Sequence, residues 1–152
     1  MEEKNYCYKY PHPAVTTDCV VFGMEESKLS VLLIERGNEP YKGCWAFPGG
    51  FMNIDESAEE GVLRELNEET GLVLKQEQLR QFGAFTAVNR DPRERVITIA
   101  FYVLIDKTEV QGGDDAAQAR WFPLDEIPPL AFDHDQILSK AIEKIKKEGL
   151  TC

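Results

Sequence analysis

Apolar and β-branched residues dominate two stretches near the start of the chain, residues 15–22 and 29–35, separated by the turn-rich Gly23-Met24-Glu25-Glu26-Ser27-Lys28. This pattern predicts two strands joined by a hairpin-like loop. Gly and Pro then punctuate residues 36–50, with Trp45 and Phe47 among them. Pro48-Gly49-Gly50 predicts a backbone turn, followed by a short strand at residues 51–52. At Ser57 the period changes. Ala58, Val62 and Leu66 recur at every fourth position and predict a helix over residues 57–70 with one apolar stripe. Ser57 with Glu60 forms a capping-box pattern, and Gly71 stands where a helix end favours a left-handed residue. Strands are predicted at residues 81–88 and 95–105, connected through Asn89-Arg90-Asp91-Pro92-Arg93-Glu94. A short strand at 119–122 follows the loop Gly112-Gly113-Asp114-Asp115, and an amphipathic helix covers 134–147. Strands, helix, strands, helix: the order predicts an α/β fold, a mixed sheet held between helices in one domain over residues 1–152.

Composition narrows the function. The 152 residues suffice for one sizeable core, and 43% hydrophobic with 29% charged residues is a globular rather than disordered balance. Apolar runs such as Val31-Leu32-Leu33-Ile34 are too short to span a bilayer. The opening Met1-Glu2-Glu3-Lys4-Asn5 lacks the basic start and apolar stretch of a signal peptide, so a cytoplasmic protein is expected. Cys7, Cys19, Cys44 and Cys152 show no C-x-x-C spacing and fit idle thiols in a reducing compartment. A net charge of −10 argues against neutralising the phosphates of polymeric DNA or RNA. A small anionic ligand is still allowed, because a few arginines and a bound cation reverse the sign locally.

The chemistry concentrates in residues 50–72, which run GFMNIDESAEEGVLRELNEETGL. At about 100° per residue, Glu65, Glu68, Glu69 and Gly61 fall within an arc of roughly 100° beside the apolar stripe. Like charges at i, i+4 destabilise a bare helix, and a hard divalent cation with oxygen ligands, Mg²⁺ or Mn²⁺, relieves that cost. Gly61 leaves room for a loop or ligand to approach, and Arg64 can hold a glutamate by paired hydrogen bonds. A merely solvated acidic face would not need to adjoin the core stripe, nor to follow Pro48-Gly49-Gly50.

The segment matches G-x5-E-x7-R-E-U-x-E-E-x-G-U, where U is a large aliphatic residue, at Gly50, Glu56, Arg64, Glu65, Leu66, Glu68, Glu69, Gly71 and Leu72. Seven of these positions demand one residue type, so a chance match is on the order of 10⁻⁸ per starting point. This is the signature of the Nudix hydrolases, and the chain is identified as resembling them. The resemblance implies a Nudix-type α/β/α sandwich and cleavage of a diphosphate linkage. It also implies metal binding by Glu65, Glu68 and Glu69, a further ligand from the Gly49 carbonyl, and support or direct ligation by Glu56. The general base varies across the family. Glu65 is the candidate inside the box and Asp115, beside Asp114, the candidate outside it. Beyond the box, Glu35-Arg36-Gly37, residues 43–51, residues 89–93 and Ala131-Phe132-Asp133-His134 resemble the ADP-ribose pyrophosphatase branch. One departure is that Val88 stands where a group of those enzymes carries proline, some sixteen residues past the box.

Arg36, Arg93 and Arg95 are the expected substrate-binding residues, with Arg90 a weaker contender on the same loop. Phe22, Phe47, Phe51 and Phe85 are available for base stacking, although strand aromatics more commonly build core. His134, at a helix start, is expected to be a cap or surface residue without a role. Two other activities stay open: pyrophosphatase action on modified nucleoside triphosphates, and ligand sensing without hydrolysis. Sensing regulators of this type carry a DNA-binding domain after the Nudix fold, whereas here only Glu148-Gly149-Leu150-Thr151-Cys152 follows the last helix. A homodimer is implied by resemblance alone.

Overall fold

A computed structural model describes residues 5–149. Strand β1 (Ala14–Glu25) turns into β2 (Lys28–Arg36), and two short strands follow, β3 (Trp45–Ala46) and β4 (Gly49–Phe51). Helix α1 (Ala58–Thr70) precedes β5 (Arg80–Phe85), β6 (Val96–Asp106), β7 (Ala116–Pro123) and helix α2 (His134–Lys147). The strands form one mixed sheet in the order β3-β2-β1-β6-β5, with β4 also pairing β1 and β7 also pairing β2. Among the strands of the described residues, β1 and β6 pair in parallel, aligned from Ala14 opposite Val96 to Met24 opposite Asp106.

Alternation along β1 builds two cores, one on each face. Val20 and Phe22 point to the side covered by Ile137, Leu138, Ala141 and Ile145 of α2. Cys19 and Val21 point to the other side, against Val62 and Leu66 of α1. The strand period of two thus creates the predicted α/β/α sandwich. Ser57 caps α1 as its sequence suggests. Its hydroxyl accepts from the Glu60 amide and the Glu60 carboxylate accepts from the Ser57 amide, both at 3.2 Å. Gly71 closes the helix at φ 79°.

A split in the sheet creates the site. The far half of β1 pairs with β2 over Phe22–Glu25, while Thr16–Asp18 pair with β4 instead. Meanwhile β2 runs on beside β7 and β3. Phe47 and Pro48 therefore cross from one branch to the other, above a wedge that stays open.

Several boundaries differ from the sequence expectation. Gly49 and Gly50 are paired in β4 rather than forming a free turn, and β3 was not expected. The strand predicted over 81–88 ends at Phe85, because the chain then leaves the sheet edge for the 86–95 loop. Both hairpin strands and β7 extend beyond their apolar runs. Among the described residues no helix is long and apolar enough to cross a membrane.

Candidate active site

The wedge opens into a cleft of about 340 Å³. Thr16 and Asp18 of β1, Ile34 and Arg36 of β2, Gly49 and Gly50 of β4, and Glu65 and Glu69 of α1 line it. Arg90, Asp91, Arg93, Asp115, Phe132 and His134 line it as well.

The box residues do not all point to the same place. Glu69 is buried and its carboxylate accepts from the Gly49 amide at 2.8 Å. Burial, opposed only in part by that bond and reinforced by the charges of Glu65, Asp18 and Asp115, pushes its pKa up to about 8. Glu65 is raised too, by burial, although Arg64 works against it. Arg64 gathers the remaining acids. It donates to both Glu56 oxygens at 3.0 and 2.6 Å, to Glu65 at 2.8 Å, to Glu68 at 3.2 Å and to the Phe51 carbonyl at 3.1 Å. The bonds from Arg64 hold the Glu56 carboxyl below its ordinary range. Glu68 is the most open of the four, and both it and Glu56 lie outside the cleft lining.

Close approach explains the glycines. A Cβ on Gly49 would collide with the Thr17 carbonyl and come within 2.7 Å of Asp18 Oδ1, while one on Gly50 would meet Glu65 Oε1 at 2.7 Å. At Gly61 the neighbour is Glu56 Oε1, 3.1 Å from a notional Cβ. The expected close approach at Gly61 is thus made by a carboxylate of the preceding loop. Among the described residues no three acids already converge on a single centre. The donor set nonetheless fits a hard divalent cation, since two carboxyls raised by burial and by neighbouring negative charge line the cleft beside Gly49.

The arginines divide differently from expectation. Arg36 donates Nε to the Pro40 carbonyl at 2.7 Å and lies 5.0 Å from the Phe132 ring centre. Arg93 is held by paired bonds to Asp91 at 3.0 and 2.7 Å, and lies over Phe51 and Phe132. Both line the cleft. Arg95 does not: its guanidinium turns back to the carbonyls of Thr86 and Ala87, at 2.7 and 3.2 Å, and ties up its own loop. Arg90 enters the cleft lining instead, buried and fork-bonded to Asp133 at 3.0 and 2.7 Å.

Of the two loop aspartates, Asp115 reaches the cleft and accepts from Asn38 Nδ2 at 3.2 Å, while its carbonyl accepts from the Gly37 amide at 3.0 Å. Phe22 and Phe47 are core and Phe85 packs against it, which leaves Phe51 as the exposed aromatic of that set in the cleft. Cys19 is buried and its thiol is pushed up by burial and by Asp18, so it is inert. Cys7 and Cys44 are free, and Cys152 lies outside the described residues.

Sequence reasoning missed Asp18 and Phe132 and dismissed His134, which is buried rather than a surface residue. Asp18 Oδ2 accepts from Thr98 Oγ1 at 2.6 Å, and Oδ1 lies 3.6 Å from His134 Nε2. Burial raises the Asp18 carboxyl, but His134, Thr98 and the more distant Arg90 outweigh it and keep the group ionised. A carboxylate interrupting the apolar run 15–22 was a usable signal. Phe132 was marked only through the resemblance of residues 131–134, which gave it no role.

The NUDIX domain profile matches residues 12–144. The chain is 46% identical over 129 residues to an ADP-ribose pyrophosphatase of Methanocaldococcus jannaschii, covering 85% of this chain and 73% of that protein. It is similar to the NUDIX domain of Shewanella oneidensis NrtR, a structure complexed with ADP ribose, at TM-score 0.84 and 34% identity, covering 93% and 94% of the two chains. A bifunctional NMN adenylyltransferase/ADP ribose pyrophosphatase of Francisella tularensis, complexed with AMP and a Mn ion, superposes at TM-score 0.80 and 29% identity. It is matched over 90% of this chain and 43% of that one. With this match and an unbroken box, the chain belongs to the NUDIX family and is a Nudix hydrolase.

Proposed function

We propose that the protein hydrolyses the diphosphate linkage of ADP-ribose, giving AMP and ribose 5-phosphate, with Mg²⁺ or Mn²⁺ as cofactor. One observation carries this reading: two carboxylates of the acidic box, Glu65 and Glu69, and two guanidinium groups, Arg36 and Arg93, line a single cleft. The likeness to an ADP-ribose pyrophosphatase and to a domain complexed with ADP ribose supports the choice of substrate. In this reading Glu56, Glu65, Glu68, Glu69 and the Gly49 carbonyl hold the cation. When bound, it supplies neutralisation of the non-bridging oxygens and of charge developing in the transition state.

The rest belongs to the chain. Arg36 and Arg93 grip the phosphate end of the ligand through guanidinium donors. Arg64 keeps Glu56 and Glu65 in place through the bonds described above. Glu65 or Asp115 accepts the proton of the attacking water as its oxygen bonds to phosphorus, while the bridging P–O bond breaks and its electron pair leaves with the departing phosphate. The same reading treats residues 1–152 as one domain, acting in the cytoplasm as a homodimer on a small nucleotide. The free thiols of Cys7, Cys19 and Cys44 suit a reducing compartment.

The deciding experiment compares kcat/KM for ADP-ribose and for a panel of nucleoside triphosphates at equal Mg²⁺. ADP-ribose is expected to lead. A clear preference for a triphosphate, with release of inorganic pyrophosphate, would assign the protein to modified-nucleotide removal. A third outcome, tight ADP-ribose binding without turnover, would make it a sensor, the alternative that the likeness to NrtR raises.

A further inference from the structure

His134 is the first residue of α2, yet its side chain is buried beneath the cleft rather than capping the helix. Its Nδ1 lies 3.1 Å from the Phe47 amide nitrogen. An amide N–H can only donate, so Nδ1 must carry a lone pair, and the proton of the neutral ring sits on Nε2. Nε2 faces Asp18 Oδ1, whose partner oxygen is occupied by Thr98. The imidazole also stacks on the Phe47 ring, with centroids 4.9 Å apart and planes within 20°. Phe47 follows the last residue of β3, so its buried amide has left the sheet ladder and finds its acceptor in this side chain.

Three successive residues are thereby held by three different elements. Phe47 is bonded to α2 through His134, the Pro48 carbonyl to the Cys19 amide of β1, and the Gly49 amide to Glu69 of α1. The segment has little slack, because Gly49 packs so close to β1 that even a Cβ there would collide with the Thr17 carbonyl and Asp18. A shift at Phe47 must therefore travel to Gly49 and on to the Glu69 carboxylate.

We propose that His134 is a positioning residue for hydrolysis: by accepting the Phe47 amide proton it sets the Pro48–Gly49 peptide, and with it the Gly49 carbonyl and Glu69 that serve the cation. This rests on the reading that Gly49 and Glu69 are ligands. A residue that merely filled space would affect stability alone. A residue that aims ligands affects the cation, as partners one bond removed from a metal commonly do by about 10–100-fold.

The test compares His134→Leu, which keeps bulk without an acceptor, and His134→Asn, whose Oδ1 restores one. On metal-free protein, amide exchange at Phe47 and Gly49 should quicken in His134→Leu and stay slow in His134→Asn. The Mn²⁺ dissociation constant, measured without substrate, should rise about tenfold or more in His134→Leu. Its kcat for ADP-ribose should fall in parallel with KM little changed, and His134→Asn should recover most of both. Nitrogen-15 NMR of the wild-type ring should show Nδ1 unprotonated, and a protonated Nδ1 would overturn the inference even if His134→Leu fails to fold. Unchanged exchange and Mn²⁺ affinity in a folded His134→Leu, or equal damage in His134→Asn, would overturn it as well. Absence of Mn²⁺ binding by the wild-type protein would instead defeat the cation reading, and the inference with it.

Discussion

Helix α1 and the corner at Ala131–His134 both supply residues to the cleft, and they are built on opposite principles. On α1 the working groups repeat along one element: Glu65, Glu68 and Glu69 share a face, and Arg64 organises those it can reach. At the corner each residue does a different task with a different partner. Phe132, at φ 53°, lies beside Arg36 and Arg93. Asp133 fixes Arg90 of the 86–95 loop, and His134 fixes Phe47. A helix positions groups by its period, so its site is local in sequence. The corner positions groups by contact, with partners 43 and 87 residues away for Asp133 and His134. The first kind of site supplies charge, and the second aims it.

The largest effect expected on the α1 side concerns the proton acceptor. Glu65 and Asp115 both line the cleft, and removal of a general base costs about 10²–10⁴-fold in turnover. Glu65→Gln and Asp115→Asn are to be compared at saturating Mg²⁺, where loss of a ligand is partly masked. A fall of that size in Glu65→Gln, with Asp115→Asn within a few-fold of wild type, would keep both base and box on α1. The reverse result would move the base to the Gly112–Asp115 loop and leave Asp115 as more than a partner for Asn38.

That contrast also explains what the sequence disclosed. The box, the capping of α1 by Ser57 and the two-sided core depend on spacing within single elements, so they were legible. The wedge was not, because it arises where β1 changes partner from β2 to β4, a pairing that no local pattern encodes. Arg95 illustrates the same limit. It belongs to the right loop but turns back to Thr86 and Ala87, whereas Arg90 is drawn inward by an aspartate far along the chain. His134 looked ordinary because its value lies in an amide acceptor that only the folded chain supplies.

A smaller but sharper test falls on the corner. Arg90 is buried and fork-bonded, and breaking a buried ion pair by removing one partner costs about 3 kcal/mol or more. Arg90→Ala should therefore lower stability by about that amount in denaturant unfolding, and raise KM for ADP-ribose by releasing the loop that carries Arg93. Arg95→Ala, at an exposed site, should stay within about 0.5 kcal/mol. Equal losses in the two variants would contradict the division between cleft and loop arginines.

The smallest effect is expected where the two regions meet, at Glu69, which α1 supplies and the Phe47–Gly49 segment receives. Its carboxyl is raised from an ordinary 4.5 to about 8, and Glu65 is raised in the same direction. A folded state that prefers the protonated carboxyl gains most below the unfolded pKa and loses that gain as pH climbs through the folded one. Glu56, Asp18 and Asp91 are shifted downward, so their contributions change at more acidic pH, whereas the raised carboxyl of Glu69 acts between pH 5 and 8. Metal-free protein should accordingly lose stability from pH 5 to pH 8, with a fall in Tm on the order of 5 °C. Mn²⁺ should restore more at pH 8 than at pH 5, because at the lower pH the ion must first displace a proton. Calorimetric scans at the two pH values, with and without Mn²⁺, make the measurement. A Tm independent of pH without metal would mean that Glu69 is ionised in the folded protein, and that the Gly49 amide suffices to hold it so.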